Sequence, residues 1–265
     1  MTFMEWDTVV KNLDNDIASV VKIYQKSIDI LNLDPFTPSI SGSISTVSSA
    51  VKAVALSLVS LFFMMQFCND AMYMKLRSYE NVFKVIFKFF LSKALVDNAD
   101  GLMKVIYKEF TKISLSVSGS TFLDGFKATD MVVKPASDGV LGLNNLTTYM
   151  LASMDILVLK GACWVISLIL IGRLFEIVIY TAVAPIPLAT VASDGWSDSF
   201  RTFLKGYAAV CLQAVIISIM FSAFSGISSL MTLRGSNLTI TVTALSLALG
   251  VIKSGQWART AVGMG

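Results

Sequence analysis

Apolar residues occur in long blocks along this chain, separated by short polar segments. The longest block covers 161–192 and reads GACWVISLILIGRLFEIVIYTAVAPIPLATVA. It exceeds the ~20 apolar residues that a helix needs to cross the hydrocarbon core of a membrane. We expect one continuous helix over 148–184, because a turn near Gly172 would lack Pro, Asn, Asp and Ser. The alternative is two spans that meet near Gly172 and Arg173.

Other apolar blocks predict spans over about 45–67, 203–230 and 238–252. The segment 81–96 is ambiguous, because its polar residues recur at spacings of three and four and form one stripe on an apolar helix. It is either an interfacial helix or a short span whose stripe faces the interior of an assembly. The stripe consists of Asn81, Lys84, Lys88 and Ser92. With this segment counted, the prediction is an all-α polytopic membrane protein with about five transmembrane helices.

The N-terminal segment predicts an amphipathic helix that precedes the first span. Its apolar residues recur at helical spacing, and acidic residues interrupt any signal-peptide core. We expect the helix to lie on a membrane or on a partner, or to pack against helices of this chain. The apolar positions are Val9, Val10, Leu13, Ile17, Val20, Val21, Tyr24 and Ile28.

Composition agrees with a membrane protein and excludes several kinds of chemistry. Only 15% of residues are charged, against roughly 25% in soluble domains. The chain has no histidine, which removes the commonest general base and metal ligand. Cys68, Cys163 and Cys211 lie apart in apolar stretches, so we expect them to be small buried hydrophobic residues. No nucleophile–base pair is visible, and we predict neither an enzyme, nor a cofactor, nor a metal site.

The pattern divides the chain into four parts. They are an N-terminal amphipathic helix with its linker (1–44), a first membrane helix with basic amphipathic helices (45–114), a polar loop (115–147) and a C-terminal membrane helical domain (148–265). Residues 1–44 contain six acidic residues and three lysines. Because basic residues favour the cytoplasmic side of a membrane, we expect the N-terminus outside the cell and the C-terminus in the cytoplasm.

A few polar and kink-forming residues within or beside the spans are candidates for structural or assembly roles. Arg173 and Glu176 are three residues apart on one helix and can form an ion pair. Pro185 and Pro187 should end that helix. Trp196 should lie at headgroup level, and Gln213 should hydrogen-bond a neighbouring helix. Polar groups at this depth need protein or water around them, so we expect helix–helix assembly there.

Lysines at helical spacing form a second group of candidates. The interpretation without a binding role is that these lysines form a solvated helix face. The alternative is contact with anionic lipid headgroups or with a translocated polyanion. The lysines concerned are Lys84, Lys88, Lys104, Lys108 and Lys112.

The region from Gly172 to Phe224 resembles the hallmark segment of TrbL-type proteins, and the closest likeness is to versions in mobile elements of Gram-positive bacteria. The matching features are Arg173-x-x-Glu176, the Ala-Pro-Ile-Pro run at 184–187, Phe200-Arg201-x-Phe203 and Gln213 inside the next span. Lys253-Ser254-Gly255 with Ala258 also resembles that group. The N-terminal half agrees with it only in layout.

TrbL-type proteins are polytopic membrane subunits of type IV secretion and conjugation machines. The resemblance therefore implies a channel or scaffold subunit that passes DNA or protein across the cell membrane. It also implies membrane lipids, an ATPase and other secretion-system subunits as partners, homo-oligomerisation and transient contact with translocated DNA. The alternatives from the residues alone are a small secondary transporter, in which the proline break exposes backbone dipoles, or a holin-like pore former.

Overall fold

The structure is a computed structural model that describes residues 6–73, 79–117, 143–193, 197–232 and 238–264. Its regular elements in these ranges are helices, without a strand among them, which confirms the all-α class. The helices are α1 (Trp6–Leu31), α2 (Pro38–Met72), α3 (Tyr79–Asp97), α4 (Ala99–Val117), α5 (Leu143–Val183), α6 (Pro185–Ala189), a 3₁₀ turn (Thr190–Ala192), α7 (Ser197–Thr232) and α8 (Leu238–Ala261).

The first span is preceded by a shorter break than the sequence predicts. The Pro- and Ser-rich stretch after residue 33 is already helical from Pro38. Proline is tolerated at the first position of a helix, where its missing N–H has no partner to lose. The turn before it is held by the Asp34 carboxylate, which accepts a hydrogen bond from the backbone N–H of Phe36 at 2.9 Å.

Helix α5 is continuous through Gly172, as the sequence predicts. It has 41 residues and begins at Leu143, so the predicted polar loop ends earlier than expected. The rest of that loop, 118–142, lies outside the described residues. The prolines end α5 at Val183, and the chain then forms the short helix α6 and the 3₁₀ turn. The alternative with two spans meeting near Gly172 is therefore wrong.

Three helices in the described ranges are long and apolar enough to cross a membrane, which indicates a membrane protein. These candidate spans are Ile44–Met72, Asn145–Ala192 and Ser197–Phe224. The prediction of about five spans is too high for this part of the chain. Helix α3 does not qualify because five charged residues lie among its 19. The described side chains of α8 begin at 241, and from there Lys253, Gln256 and Arg259 lower its hydropathy.

The chain forms two compact units, each built from several separate segments. Unit 1 contains Met1–Leu33, Ile113–Gly172 and Ala214–Ser254, and unit 2 contains Asp34–Lys112, Arg173–Gln213 and Gly255–Gly265. The boundaries therefore fall inside α4, α5, α7 and α8.

Unit 1 is organised around the apolar face of α1. That face contacts the N-terminal part of α5, the later part of α7 and α8 in one hydrophobic core. Tyr24 meets Phe221 edge to face at 5.3 Å between ring centroids, and the Lys160 ammonium binds the Asp16 carboxylate at 3.1 Å. The interpretation that α1 packs against helices of its own chain is confirmed. The buried residues of α1 are Val9, Leu13, Ile17, Val20, Tyr24, Ser27 and Leu31.

Unit 2 packs α2 and α3 against each other and against α6 and the 3₁₀ turn. Its hydrophobic core also includes one face of α4 and the early part of α7. The Tyr207 hydroxyl donates to the backbone carbonyl of Met103 at 2.8 Å, which ties α7 to α4. Phe36 packs edge to face on Tyr107, with 5.6 Å between centroids.

The outward faces of the candidate spans are strongly apolar. On α5, Leu157, Leu168, Phe175 and Ile179 are each more than 60% exposed. Met64, on α2, is 61% exposed. Large apolar surfaces of this kind are rare on soluble monomers, and they are the natural surface of a helix that faces lipid.

A candidate polar site among the membrane helices

Unit 2 contains a polar cavity of about 80 Å³ within the candidate spans. Glu176 and Arg259 are exposed and form its rim, whereas Gln213 is buried and forms its floor. Helix geometry of 1.5 Å per residue places Glu176 roughly 13 Å along the chain before Pro185, and Gln213 roughly 12 Å beyond Lys205. The cavity residues of α5 and α7 therefore lie inside candidate spans, whereas Arg259 lies in the last turn of α8. Its remaining lining residues are Ala209, Val210 and Gly255.

The Arg173 guanidinium is buried next to this cavity, with 3% of the residue exposed. Its Nε donates to the carbonyl of Val210, a residue of the cavity wall, at 3.2 Å. The Tyr107 hydroxyl also hydrogen-bonds the guanidinium. Its Nη1 is buried and has no hydrogen-bond partner among the described residues. Burial raises the pKa of Tyr107 above its ordinary value, and the positive charge of Arg173 opposes that shift.

The expected ion pair between Arg173 and Glu176 is not formed. Among the described residues, no salt bridge joins these two side chains. Spacing alone allows the pair, but Arg173 is buried and Glu176 is exposed. The guanidinium instead hydrogen-bonds the Val210 carbonyl of α7 and the Tyr107 hydroxyl of α4, and the carboxylate stays at the cavity rim.

Gln213 is buried and faces Gly255 of α8, and its expected hydrogen bond to a neighbouring helix stays a prediction. The residue is 8% exposed, and a methyl group added at Gly255 would lie 3.5 Å from its Nε2. Arg173 and Gln213 are thus both shielded within one chain, and their polarity by itself requires no second subunit.

Pro185 and Pro187 shape the chain where α5 ends, and Ser92 of α3 completes this region. The Ser92 side chain is fully buried, and its hydroxyl lies 3.2 Å from the carbonyl of Leu188 and 3.0 Å from that of Ala189. These carbonyls are at the end of α6, where helical partners run out. Serine hydroxyls commonly satisfy such groups beside prolines in membrane helices.

The polar stripe of α3 runs from the surface into the protein. Lys84 is exposed and binds Glu80 at 2.6 Å, and this hydrogen bond lowers the pKa of Glu80. Lys88 is half-buried, and Ser92 is completely buried. The interpretation as a solvated helix face therefore holds only for the first turn of the stripe. The outward face of α3 is instead aromatic and aliphatic and consists of Phe83, Ile86, Phe87, Phe90 and Leu91.

The lysines of α4 have three different environments. Lys104 lies over the Phe36 ring, with 5.8 Å from its Nζ to the centroid. Lys108 is exposed, and Lys112 binds Glu109 at 2.7 Å. Contact of these lysines with lipid headgroups or a polyanion stays a prediction.

Two polar networks in unit 2 were missed from the sequence. The Asp100 carboxylate binds Lys52 at 2.8 Å and accepts the Ser48 hydroxyl at 2.6 Å. The Gln66 amide donates to Asp70 at 3.0 Å. Ser48, Lys52, Gln66 and Asp70 all fall on one face of α2 at helical spacing, together with buried Ala55 and Val59. That periodicity was the available signal, and it predicts an inward polar stripe.

Two further expectations concern single residues. Trp196 lies outside the described residues. The cysteines are all free, and Cys163 and Cys211 are buried as expected, whereas Cys68 is exposed on α2. Cys68 lies within an apolar candidate span. Contact with lipid would therefore give its exposed side chain apolar surroundings, as a protein core does for a buried one.

Searches of protein families, curated proteins and solved structures found no match to this chain.

Proposed function

We propose that this chain is a membrane channel or scaffold subunit of a type IV secretion apparatus, which assembles with other subunits to pass DNA or protein across the cell membrane. The resemblance to TrbL-type proteins supplies the identity of the machine. The physical support comes from one observation, the exposed carboxylate of Glu176 within a candidate span.

An ionised side chain at the centre of a bilayer costs about 2.5–3.5 kcal/mol on insertion scales, so such groups face protein or water. Phe175 and Ile179 on the same helix are exposed and apolar. Among the described residues, Glu176 has no ion pair or hydrogen bond within the chain. An assembly offers what is missing, either a neighbouring subunit or a water-filled interior.

The finer features of the proposal follow the sequence. The N-terminus is outside and the C-terminus is cytoplasmic, which holds for three or five crossings alike because both numbers are odd. In the five-span arrangement α3 and α8 also cross. The partners are membrane lipids, further copies of the chain, other secretion subunits and an ATPase, with transient contact to translocated DNA at the lysines of α3 and α4.

Blue-native electrophoresis of detergent-solubilised host membranes tests the assembly. We expect the chain in a complex much larger than its 28.7 kDa protomer, with secretion subunits identified in the same band by mass spectrometry. Glu176→Leu should reduce this complex, whereas Phe175→Leu, at nearly the same depth on α5, should leave it intact. A strictly monomeric particle that co-purifies with nothing from the same mobile element would contradict the proposal.

A further inference from the structure

The rim of the cavity in unit 2 carries opposite charges that do not touch. Glu176 and Arg259 both line it, yet within the described ranges no salt bridge of 4.0 Å or less joins them. Both side chains are exposed, and Gln213 and Val210 below them are buried. The cavity therefore opens at a charged rim and narrows to a polar floor.

The size and chemistry of this space suit water. A cavity needs at least about 10–15 Å³ to hold a water molecule, and the water needs two to four polar partners. At about 80 Å³, the space accommodates several molecules. A carboxylate, a guanidinium and an amide supply acceptors and donors on several sides. Opposite charges held beyond contact distance are commonly bridged by water.

An alternative occupant has to satisfy a mixed set of charges. A lone anion would face Glu176, and a lone cation would face Arg259, so neither fits as well as a neutral dipolar molecule. A lipid chain would give the Glu176 carboxylate and the Arg259 guanidinium no hydrogen-bond partner in this cavity, at the cost that charged groups incur in hydrocarbon. Apolar contact surface is also scarce, because the apolar part of the wall consists of Ala209, Val210 and Gly255.

We propose that the Glu176–Gln213–Arg259 cavity is a hydrated site inside the membrane layer, open to the aqueous phase at Glu176. This deepens the proposed channel role, because it identifies the Glu176 side of α5 as a wet surface, in contrast to the lipid-facing side marked by Phe175. It requires that α5 and α7 span the membrane, but it does not require that the chain forms a complex.

Thiol accessibility separates the wet surface from the lipid-facing one. Glu176→Cys and Phe175→Cys are introduced singly into a Cys68→Ser background, which removes the exposed native thiol. Each purified protein is reconstituted in phosphatidylcholine liposomes, and gel filtration verifies its fold. The reagent is a water-soluble, charged methanethiosulfonate, and modification is followed as the mass shift of the intact protein. The protein that carries Cys68→Ser alone gives the baseline rate of modification at the buried residues Cys163 and Cys211.

Reaction requires the thiolate, which forms readily in water and poorly in apolar surroundings. We expect E176C to react at least about tenfold faster than F175C, since one unit of thiol pKa changes the thiolate fraction tenfold. Equal, slow reaction of both would overturn the proposal, because the cavity would be dry. Equal, fast reaction of both would also overturn it, because the whole face would then lie in water.

A second variant assigns the reactivity to this particular cavity. Gly255→Leu, added to E176C, should fill the space next to Gln213 and slow modification severalfold. An unchanged rate would overturn the assignment. Because these measurements use the isolated chain, their failure is distinguishable from failure of the blue-native experiment, which reports on assembly in host membranes.

Discussion

The two units bury different kinds of polar group. In the described part of unit 1, no charged side chain is buried, and the buried polar contacts are mainly between hydroxyls. Ser27 and Ser167 lie 2.7 Å apart, and each hydroxyl also bonds a carbonyl of its own helix at 3.0 Å. Unit 2 instead buries Arg173 and Asp70, along with the amides Gln66 and Gln213.

This difference indicates what each unit is built for. A serine hydroxyl can return its hydrogen bond to its own helix, so it adds contact between helices and needs no specific partner. A buried guanidinium or carboxylate carries a charge and needs specific hydrogen-bond partners from other side chains or segments. Unit 1 is thus held mainly by packing, and unit 2 positions the polar site.

The largest expected effect tests packing in unit 1. Leu13→Ala should lower the free energy of unfolding by about 2–5 kcal/mol, because the side chain is 1% exposed and its removal leaves a cavity. The thermal unfolding midpoint of the purified protein in detergent measures this. Lys11→Ala, on the exposed face of α1, is the control. An unchanged midpoint for L13A would mean that α1 does not pack on its own chain.

The next effect tests close packing in unit 2. A methyl group at Gly206 would lie 2.8 Å from the Tyr180 hydroxyl, and that ring is held by Phe203 and Tyr207 at centroid distances of 5.4 and 6.0 Å. Overpacking of this kind costs about 1–3 kcal/mol, partly offset by up to about 1 kcal/mol from the better helix propensity of alanine. Gly206→Ala should therefore lower the unfolding midpoint.

Gly255→Ala is the matched control for Gly206→Ala. Its methyl group would make an ordinary contact of 3.5 Å with Gln213, so only the gain in helix propensity remains. The midpoint should stay the same or rise. A loss as large as that of G206A would show that Gly255 has less room than the structure gives it.

A smaller effect concerns the proline break. Ser92→Ala should cost about 1–2 kcal/mol, because the carbonyls of Leu188 and Ala189 lose their buried donor. Ser57→Ala is a fair comparison, since its hydroxyl is exposed and bonds only the carbonyl of Ala53 on its own helix. Equal unfolding midpoints for the two variants would argue against a role of Ser92 at the break.

The smallest effect is a gain of stability in unit 1. Within the part of the chain that the structure describes, the buried Tyr24 hydroxyl has no hydrogen-bond partner. Tyr24→Phe should therefore raise the free energy of unfolding by roughly 1 kcal/mol near neutral pH. Burial raises the pKa of this hydroxyl, and the neighbouring Cys163 adds to the shift.

The raised pKa of Tyr24 adds a pH dependence to that prediction. The unfolded hydroxyl ionises near its ordinary value of about 10, and the folded one does so only at higher pH. Ionisation of Tyr24 therefore leaves the free energy of unfolding unchanged below pH ~10 and lowers it as the pH rises above that value. Unfolding midpoints between pH 8 and 11 should fall less steeply in Y24F than in the unsubstituted protein. Parallel curves would contradict this assignment.

Local patterns in the sequence were sufficient for much of the fold. Block length predicted the three candidate spans, and the 3.6-residue period of α1 predicted its buried face, because both depend on residues close in the chain. Crowding and the missing N–H of proline likewise ended α5 without help from other segments. For the described residues the predicted count of spans was too high, because the lysines of α3 and the polar end of α8 were outweighed by their apolar neighbours.

Partnerships across the chain were decided only by tertiary structure. Spacing allowed Arg173 to reach Glu176, but the approach of α7 and α4 offered the guanidinium the Val210 carbonyl and the Tyr107 hydroxyl instead. The cavity similarly requires α5, α7 and α8 together. Residue order determines which side chains a helix presents on each face. Which of these side chains meet depends on how distant segments pack, and the spacing of residues within one helix does not predict that.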